Sequence, residues 1–140
     1  MDSEAFFWKT QDGRLPTPKA AQTLGIKILS VDAQAGSIEV EFEGREEFTN
    51  PAGKIQGGFL AAMLDDTMGP ALAATLRAGE FAPTLNLNVQ FLSAAAPGKL
   101  QASGRVVRRG AEICFLSAEL SQSGRLVATA TATAIIRGTV

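Results

Sequence analysis

The sequence predicts an α+β domain in which an antiparallel sheet curls around one long central helix. Runs of alternating apolar and polar residues lie before and after a single apolar helical segment. Short turns join the later strands, which is typical of antiparallel neighbours. With 140 residues and no repeat, low-complexity segment or linker, we expect residues 1–140 to form one domain with its own core.

The elements have recognisable boundaries. Residues 1–15 contain Phe6-Phe7-Trp8, and this segment is either an arm, mobile or packed on the domain, or a lid over a pocket. Residues 84–92 place four apolar side chains on one face and uncharged polar ones on the other, a face that is either solvated or at a subunit interface. The predicted elements are a short helix at 18–25, strands at 26–32 and 37–43, the central helix at about 57–77, and strands at 84–92, 99–109 with a bulge at Gly104, 112–122 and 125–137.

The central helix begins at a pair of glycines, Gly57-Gly58, after the turn residues of 50–53. Ala, Leu and Met follow, with Pro70 inside the segment, where we expect a kink. The first N–H groups of a helix lack partners within it and carry partial positive charge. Because glycines let a ligand approach closely, this helix start is a candidate site for an oxygen that becomes negative during a reaction.

Two carboxylates, Asp65 and Asp66, interrupt the apolar helix. A charge in a largely buried helix requires a partner or a function, and neighbours about 100° apart cannot both face one cleft. Gly57 and Asp65 are eight residues apart, roughly 12 Å along a helix, so they cannot both touch one carbonyl carbon. If both residues are catalytic, Asp65 must come from a second copy of the chain, and the sequence then predicts a dimer with shared sites.

The composition excludes several classes of function. A net charge of −1 without a long basic run gives no footprint for nucleic acid, and no apolar stretch is long enough to predict a membrane span. The chain has no histidine, which removes Ser-His-Asp and Cys-His catalysis and any histidine-dependent metal site. One cysteine, Cys114, and the lack of an evident signal peptide fit a cytoplasmic protein, and we expect the thiol to be inert core.

These residues resemble the hotdog-fold acyl-CoA thioesterases of the PaaI-like, phenylacetate-type family. The family pattern is His-Gly-Gly followed by Asp as the seventh residue, and this chain has Gly57-Gly58 and then Asp65. Gln56 stands where the family usually has histidine. The resemblance covers residues 20 to 137, and it includes Asn50 before the glycines and the strand that begins at Thr84.

The resemblance implies hydrolysis of an acyl-CoA thioester by a homodimer or a dimer of dimers. Gly57 would bind the thioester oxygen and Asn50 would hydrogen-bond near the carbonyl or the water. Asp65 of the partner would be general base or nucleophile, with Thr84 beside it to orient water. Candidate substrate-binding residues are Gln56, Gly58, Phe59, Arg108 and Arg109, the arginines for the phosphates of coenzyme A. We expect no metal and no cofactor, since coenzyme A is part of the substrate.

Each of these residues also has a purely structural interpretation. Asn50 can serve as a turn residue before Pro51, Thr84 as an ordinary strand residue, and the arginines as solvated surface. Asp66 is expected to be structural or interfacial. The alternative functions are a hotdog module that binds acyl-CoA without turnover and a degenerate member kept for assembly. The preferred acyl group, aryl or medium-chain, stays open.

Overall fold

The computed structural model describes residues 1–138 and places one long helix against a six-stranded antiparallel sheet. The strands of this sheet lie in the order β1-β2-β5-β6-β7-β4, and β3 pairs with β8 beside it. The elements are α1 Phe6–Gln11, α2 Lys19–Leu24, β1 Lys27–Asp32, β2 Ser37–Gly44, a 3-10 turn Glu46–Phe48, α3 Gly57–Ala73, β3 Glu80–Phe81, β4 Thr84–Phe91, β5 Gly98–Arg109, β6 Ile113–Gln122, β7 Arg125–Ile135 and β8 Arg137–Gly138.

The alternating patterns place the core between α3 and the sheet. On β2 the side chains of Ile38, Val40 and Phe42 are buried, as the period of two predicts. On β7 every second residue from 128 to 134 is a buried alanine, so little side-chain volume separates this part of the sheet from the helix. The predicted tight turn between β6 and β7 is confirmed, with Ser123 and Gly124 both at positive φ.

The long helix is shorter than the predicted 57–77. It ends at Ala73. The backbone N–H groups of Thr75 and Leu76 donate to the carbonyls three residues before them, those of Leu72 and Ala73. The Thr75 hydroxyl also donates to the Leu72 carbonyl at 2.7 Å. Such i to i−3 bonds tighten and close a helix end. Pro70 lies inside α3, which continues past it for three residues.

The predicted bulge at Gly104 is wrong. The register of β5 against β6 shifts between Val106 and Arg108 instead. Gly104 pairs regularly, and a Cβ there would lie 2.9 Å from the Thr67 methyl carbon. The glycine is therefore explained by the close approach of α3 to the sheet. The short pair of β3 and β8 and the 3-10 turn were not predicted, since segments of two or three residues carry no periodicity.

The strand β4 forms an edge of the sheet. Among residues 1–138 it pairs with β7 alone. Leu87 and Val89 of its apolar face pack against the core, whereas Leu85 is 59% and Phe91 55% exposed. An open apolar edge strand is a template for pairing with another chain.

The N-terminal segment packs against the end of α3. Phe7 is buried, and the Trp8 indole N–H donates to the Ala74 carbonyl at 3.0 Å. The helix α2 ends at Gly25 in the left-handed conformation, as predicted. In this structure the arm is packed on the domain. Within residues 1–138, the helices are too short or too polar to be candidate membrane spans.

Candidate active site

The loop before α3 holds Asn50 in a tight turn. Its side-chain oxygen accepts hydrogen bonds from the backbone N–H groups of Ala52 at 3.0 Å and Lys54 at 3.1 Å. The backbone N–H of Asn50 donates to the Lys54 carbonyl at 2.7 Å. This is the structural role expected of a turn asparagine. Because the turn uses only the oxygen of the amide, the nitrogen stays available as a donor.

No side chain in the described part of the chain caps the start of α3. Gln56 occupies the cap position without a side-chain hydrogen bond to the helix, and the first turn contains no acidic residue. The backbone N–H of Gln56 donates to the Phe48 carbonyl at 2.8 Å, and this bond fixes the approach of the chain to the helix. No group in residues 1–138 accepts from the N–H groups of Gly57 and Gly58. These two donors carry the partial positive charge of the helix end.

A cleft of about 370 Å³ brings Asn50 and Gly57 together. Lys54 is the one charged residue of its lining. The ring of Phe91 forms part of the wall, and a Cβ at position 57 would lie 3.1 Å from it. Glycine at 57 thus lets the Phe91 ring lie close to the helix start. Phe91 was not predicted to lie here, because its position on an alternating strand indicates only an apolar face.

Asp65 and Thr84 meet within one chain. The Thr84 hydroxyl donates to Asp65 Oδ1 at 3.2 Å, across the contact between α3 and β4. Asp65 is half-buried and Thr84 is exposed, so this carboxylate borders solvent at the open edge of the sheet. The predicted pairing of these two residues on the same subunit agrees with this geometry.

The cleft at Gly57 and the Asp65–Thr84 pair do not form one site within a chain. Gly57 and Asp65 both belong to the continuous helix α3, which keeps them roughly 12 Å apart along its axis. Each chain therefore carries two separate candidate half-sites: the unpartnered N–H groups at the start of α3, and the carboxylate of Asp65 with the hydroxyl of Thr84.

Asp66 faces another part of the molecule. It borders a cavity between α3 and the N-terminal helices, and its Oδ2 is buried without a hydrogen-bond partner among residues 1–138. Burial raises the pKa of this carboxyl to about 6, and the neighbouring charge of Asp65 adds to the effect. The sequence shows that the two carboxylates diverge, but the surroundings of Asp66 depend on the packing of α1 and α2.

The other candidate residues lie in varied places. Phe59 stacks on Phe48 with ring centroids 4.3 Å apart, which makes it a support of the helix start rather than a lining residue of the cleft. Arg109 donates to the Thr75 hydroxyl at 2.9 Å, near the end of α3 opposite Gly57. Arg108 and Gln56 are exposed. Cys114 is fully buried, and burial raises the pKa of its thiol, in keeping with an inert role.

Comparisons with known proteins agree on one family. A family model described as the acyl-CoA thioesterase N-terminal domain matches residues 46–135. The Homo sapiens acyl-coenzyme A thioesterase 13 is 30% identical over 105 residues, which are 73% of this chain and 74% of that protein.

Two solved structures resemble this one. A phenylacetic acid degradation-related protein from Ralstonia eutropha JMP134 is 46% identical with a TM-score of 0.91, covering 93% of this chain and 98% of its own. The E. coli PaaI protein from the phenylacetic acid degradation operon shares the fold with a TM-score of 0.83 at 22% identity, over 96% of this chain and 95% of its own.

Proposed function

Because this chain belongs to the acyl-CoA thioesterase family and is a thioester hydrolase of the hotdog fold, we propose that it cleaves an aryl- or medium-chain acyl-CoA at a site shared by two copies of the chain. The products are the free acid and coenzyme A. The reaction needs no histidine, since the leaving thiol has a reference pKa of about 8.5 and departs as a thiolate near neutral pH.

One half-site activates the carbonyl. The N–H of Gly57 donates to the thioester oxygen and stabilises the negative charge that develops on it as the carbon becomes tetrahedral. The Asn50 amide nitrogen, in the same cleft, adds a second donor to the oxygen or to the water. The unpartnered helix start supports this role, because its donors are already oriented and unshielded by acidic side chains.

The other half-site, from the partner, activates the attacking group. As a general base, Asp65 takes a proton from water while the water oxygen bonds to the carbonyl carbon, and the C–S bond then breaks with both electrons leaving on sulfur. As a nucleophile, its carboxylate bonds to the carbonyl carbon and expels the thiolate, and water hydrolyses the resulting anhydride. In either route the Thr84 hydroxyl, 3.2 Å from Asp65, holds the carboxylate or the water in position.

The observation that carries the shared site is the separation of the two half-sites on one helix. A two-fold dimer unites them, since it brings the same surfaces of two chains together in opposite directions. The open apolar edge of β4, next to Thr84 and ending at Phe91 beside Gly57, is the surface that we propose for this contact. Such dimers can pair further into a dimer of dimers. The buried, unpaired Cys114 suits a cytoplasmic protein.

Thiol release from aryl- and alkyl-CoA thioesters tests the proposal. We expect turnover by the wild type and a loss of about 100-fold or more in kcat for Asp65→Asn, which keeps the shape but removes the base. Glu112→Gln, the same carboxylate-to-amide change at an exposed loop position, serves as the control and should keep full activity. Binding of a thioester without turnover by the wild type would instead make the protein an acyl-CoA-binding module.

A further inference from the structure

The loop between β4 and β5, residues 92–97, crosses the end of the β6–β7 hairpin. In the order of the sheet, β6 and β7 lie between β5 and β4, and the hairpin turns at Ser123 and Gly124. The loop passes this end because Phe91, the last residue of β4, pairs with Ala128 near the start of β7. Backbone groups of a chain that crosses strand ends lack regular sheet partners and need others.

The side chain of Gln122, the last residue of β6, supplies partners to this loop. Its Oε1 accepts a hydrogen bond from the Ala96 N–H at 2.9 Å, and its Nε2 donates to the Ala96 carbonyl at 2.8 Å. The same nitrogen donates to the Lys99 carbonyl at 3.3 Å. Because an amide side chain has both a donor and an acceptor, it can bond to both backbone groups of one residue. Gln122 thus holds the loop as a neighbouring strand would.

Two further hydrogen bonds tie the loop to β7. The Arg125 guanidinium donates to the Ala94 carbonyl at 2.6 Å. The Ser93 hydroxyl donates to the Leu126 carbonyl at 2.7 Å. Together with the amide of Gln122, these bonds attach the loop to the hairpin at positions 93, 94 and 96.

The loop in turn is bonded to the segment that enters α3. The Ala95 carbonyl accepts a hydrogen bond from the Ile55 N–H at 2.9 Å. Both residues are buried, and a hydrogen bond without access to water is costly to break. Ile55 also forms a bridge with Thr49 across the turn of Asn50. Since Ile55 lies two residues before Gly57, the position of the loop determines where the helix begins.

The loop also forms one wall of the cleft at Gly57. Ser93 and Ala94, which the hairpin holds, belong to the lining of this cleft. They follow Phe91, whose ring would lie 3.1 Å from a Cβ at position 57. A displaced loop would therefore move the wall of the cleft and its hydrogen-bond donor together.

Resting on the proposed function, we infer that Gln122 is a positioning residue for thioester hydrolysis: it sets the direction of the Gly57 N–H through the loop and Ile55. Within residues 1–138, the cleft lining contains neither Gln122 nor Ala96, so the amide acts through its neighbours and not on the substrate. A donor stabilises an oxyanion when it lies about 2.7–3.1 Å away, and a displacement of about 1 Å can cost about 100-fold in rate. The charge on the oxygen develops only in the transition state, so the loss of Gln122 should lower kcat more than substrate binding.

Replacing the amide by a thioether of similar length tests this role. We expect Gln122→Met to lower kcat about tenfold or more for every thioester that the wild type cleaves, with KM changing less than about threefold. Hydrogen exchange of the Ile55 amide, followed by NMR, should become faster in the same variant. Gln101→Met makes the same change at a half-buried residue within β5 and should keep full activity and the slow exchange.

Gln122→Glu adds a pH-dependent test. An ionised carboxylate accepts from the Ala96 N–H but cannot donate to the Ala96 carbonyl, whereas a protonated carboxyl does both, as glutamine does. We expect the kcat of this variant, divided by that of the wild type at the same pH, to rise about twofold or more from about pH 8 to about pH 5, as the carboxyl begins to protonate. Far-UV circular dichroism at both pH values verifies that the variant is folded.

The outcomes separate this inference from the proposed function. Unchanged kcat or unchanged Ile55 exchange in Gln122→Met would overturn the positioning role and leave the proposed function standing. A rise in KM alone, or a Gln122→Glu ratio that does not depend on pH, would also overturn it. Absence of turnover by the wild type on every thioester would instead remove the proposed function, and the positioning role with it.

Discussion

Asp65 and Asp66 are neighbours in the sequence, yet they have different surroundings. Their 100° separation on a helix predicts that they diverge, and the pattern around Gly57 picks out Asp65. The sequence does not specify which cavity Asp66 faces, because that depends on how α1 and α2 pack against α3. Phe91 was missed for the same reason: its contact with Gly57 joins distant parts of the chain.

The raised pKa of Asp66 predicts a pH-dependent stability. A carboxyl whose pKa rises on folding from 3.8 to about 6 binds more protons in the native state, so its ionisation lowers the free energy of unfolding as the pH rises through this interval. At about pH 8 we expect Asp66→Asn to be more stable than the wild type by about 1 to 3 kcal/mol, and the gain to shrink towards pH 4. Urea unfolding of both proteins at about pH 8 and pH 4 measures this difference in the free energy of unfolding. A gain that grows as the pH falls would contradict the burial of this carboxyl.

Asn50 has a structural role and a proposed catalytic one, and two substitutions separate them. Asn50→Asp keeps the oxygen that accepts from Ala52 and Lys54 but removes the amide donor, whereas Asn50→Ala removes both. We expect kcat to fall about 10- to 100-fold in both variants, and stability to fall by about 1 kcal/mol or more in Asn50→Ala alone. Full activity of Asn50→Asp would leave Asn50 as a turn residue only.

The elements with long periodic patterns were predicted well. The alternation on β2 and the apolar run of α3 gave their positions, and glycines marked the end of α2 and the turn before β7. The end of α3 was placed too late, because the hydroxyl of Thr75 closes the helix through a bond that composition does not reveal. The bulge in β5 was misplaced, since a glycine that permits close packing resembles one that permits a bulge.

The close contact of α3 with β5 depends on the glycine at position 104. Gly104→Ala should destabilise the protein by about 1 to 3 kcal/mol, because its Cβ would lie 2.9 Å from the Thr67 methyl carbon. Adding Thr67→Ser should restore part of the loss, since serine lacks that methyl group but can keep the hydroxyl bond to the Met63 carbonyl, 2.7 Å long here. Urea unfolding of the two single variants and the double variant measures the coupling.

Gly58→Ala is the control, because a Cβ there meets nothing within 4 Å. Additive effects of the two substitutions would contradict the proposed collision.

For the whole molecule, the fold class and the family follow from the sequence, whereas the assembly rests on an argument about distance. The alternation in β4 predicted that its apolar residues share one face. Only the sheet order reveals that β4 is an edge strand, on which Leu85 and Phe91 are exposed to solvent. Exposed apolar side chains on an edge strand are explained by the proposed dimer, which would cover them.

Charging this edge should separate the subunits of the proposed dimer. We expect Leu85→Lys to yield a folded monomer by light scattering and to lose activity together with dimerisation, since a lysine on an edge strand opposes pairing. Val107→Lys adds the same charge on β5, at a residue 52% exposed and away from this edge, and should keep the dimer. A Leu85→Lys protein that stays dimeric and active would place the subunit contact elsewhere.

The proposed shared site is tested most directly by mixing two impaired variants. Asn50→Asp damages the half-site at Gly57, and Asp65→Asn damages the half-site at Thr84. In a two-fold dimer formed from one chain of each, both lesions fall in one site and the other site is intact. After subunit exchange at equal amounts, we predict recovery of about one quarter of the wild-type activity, since half of the dimers are mixed and each has one working site. Native mass spectrometry establishes that mixed dimers have formed. Mixed dimers without recovered activity would contradict a catalytic site built from Gly57 of one chain and Asp65 of the other.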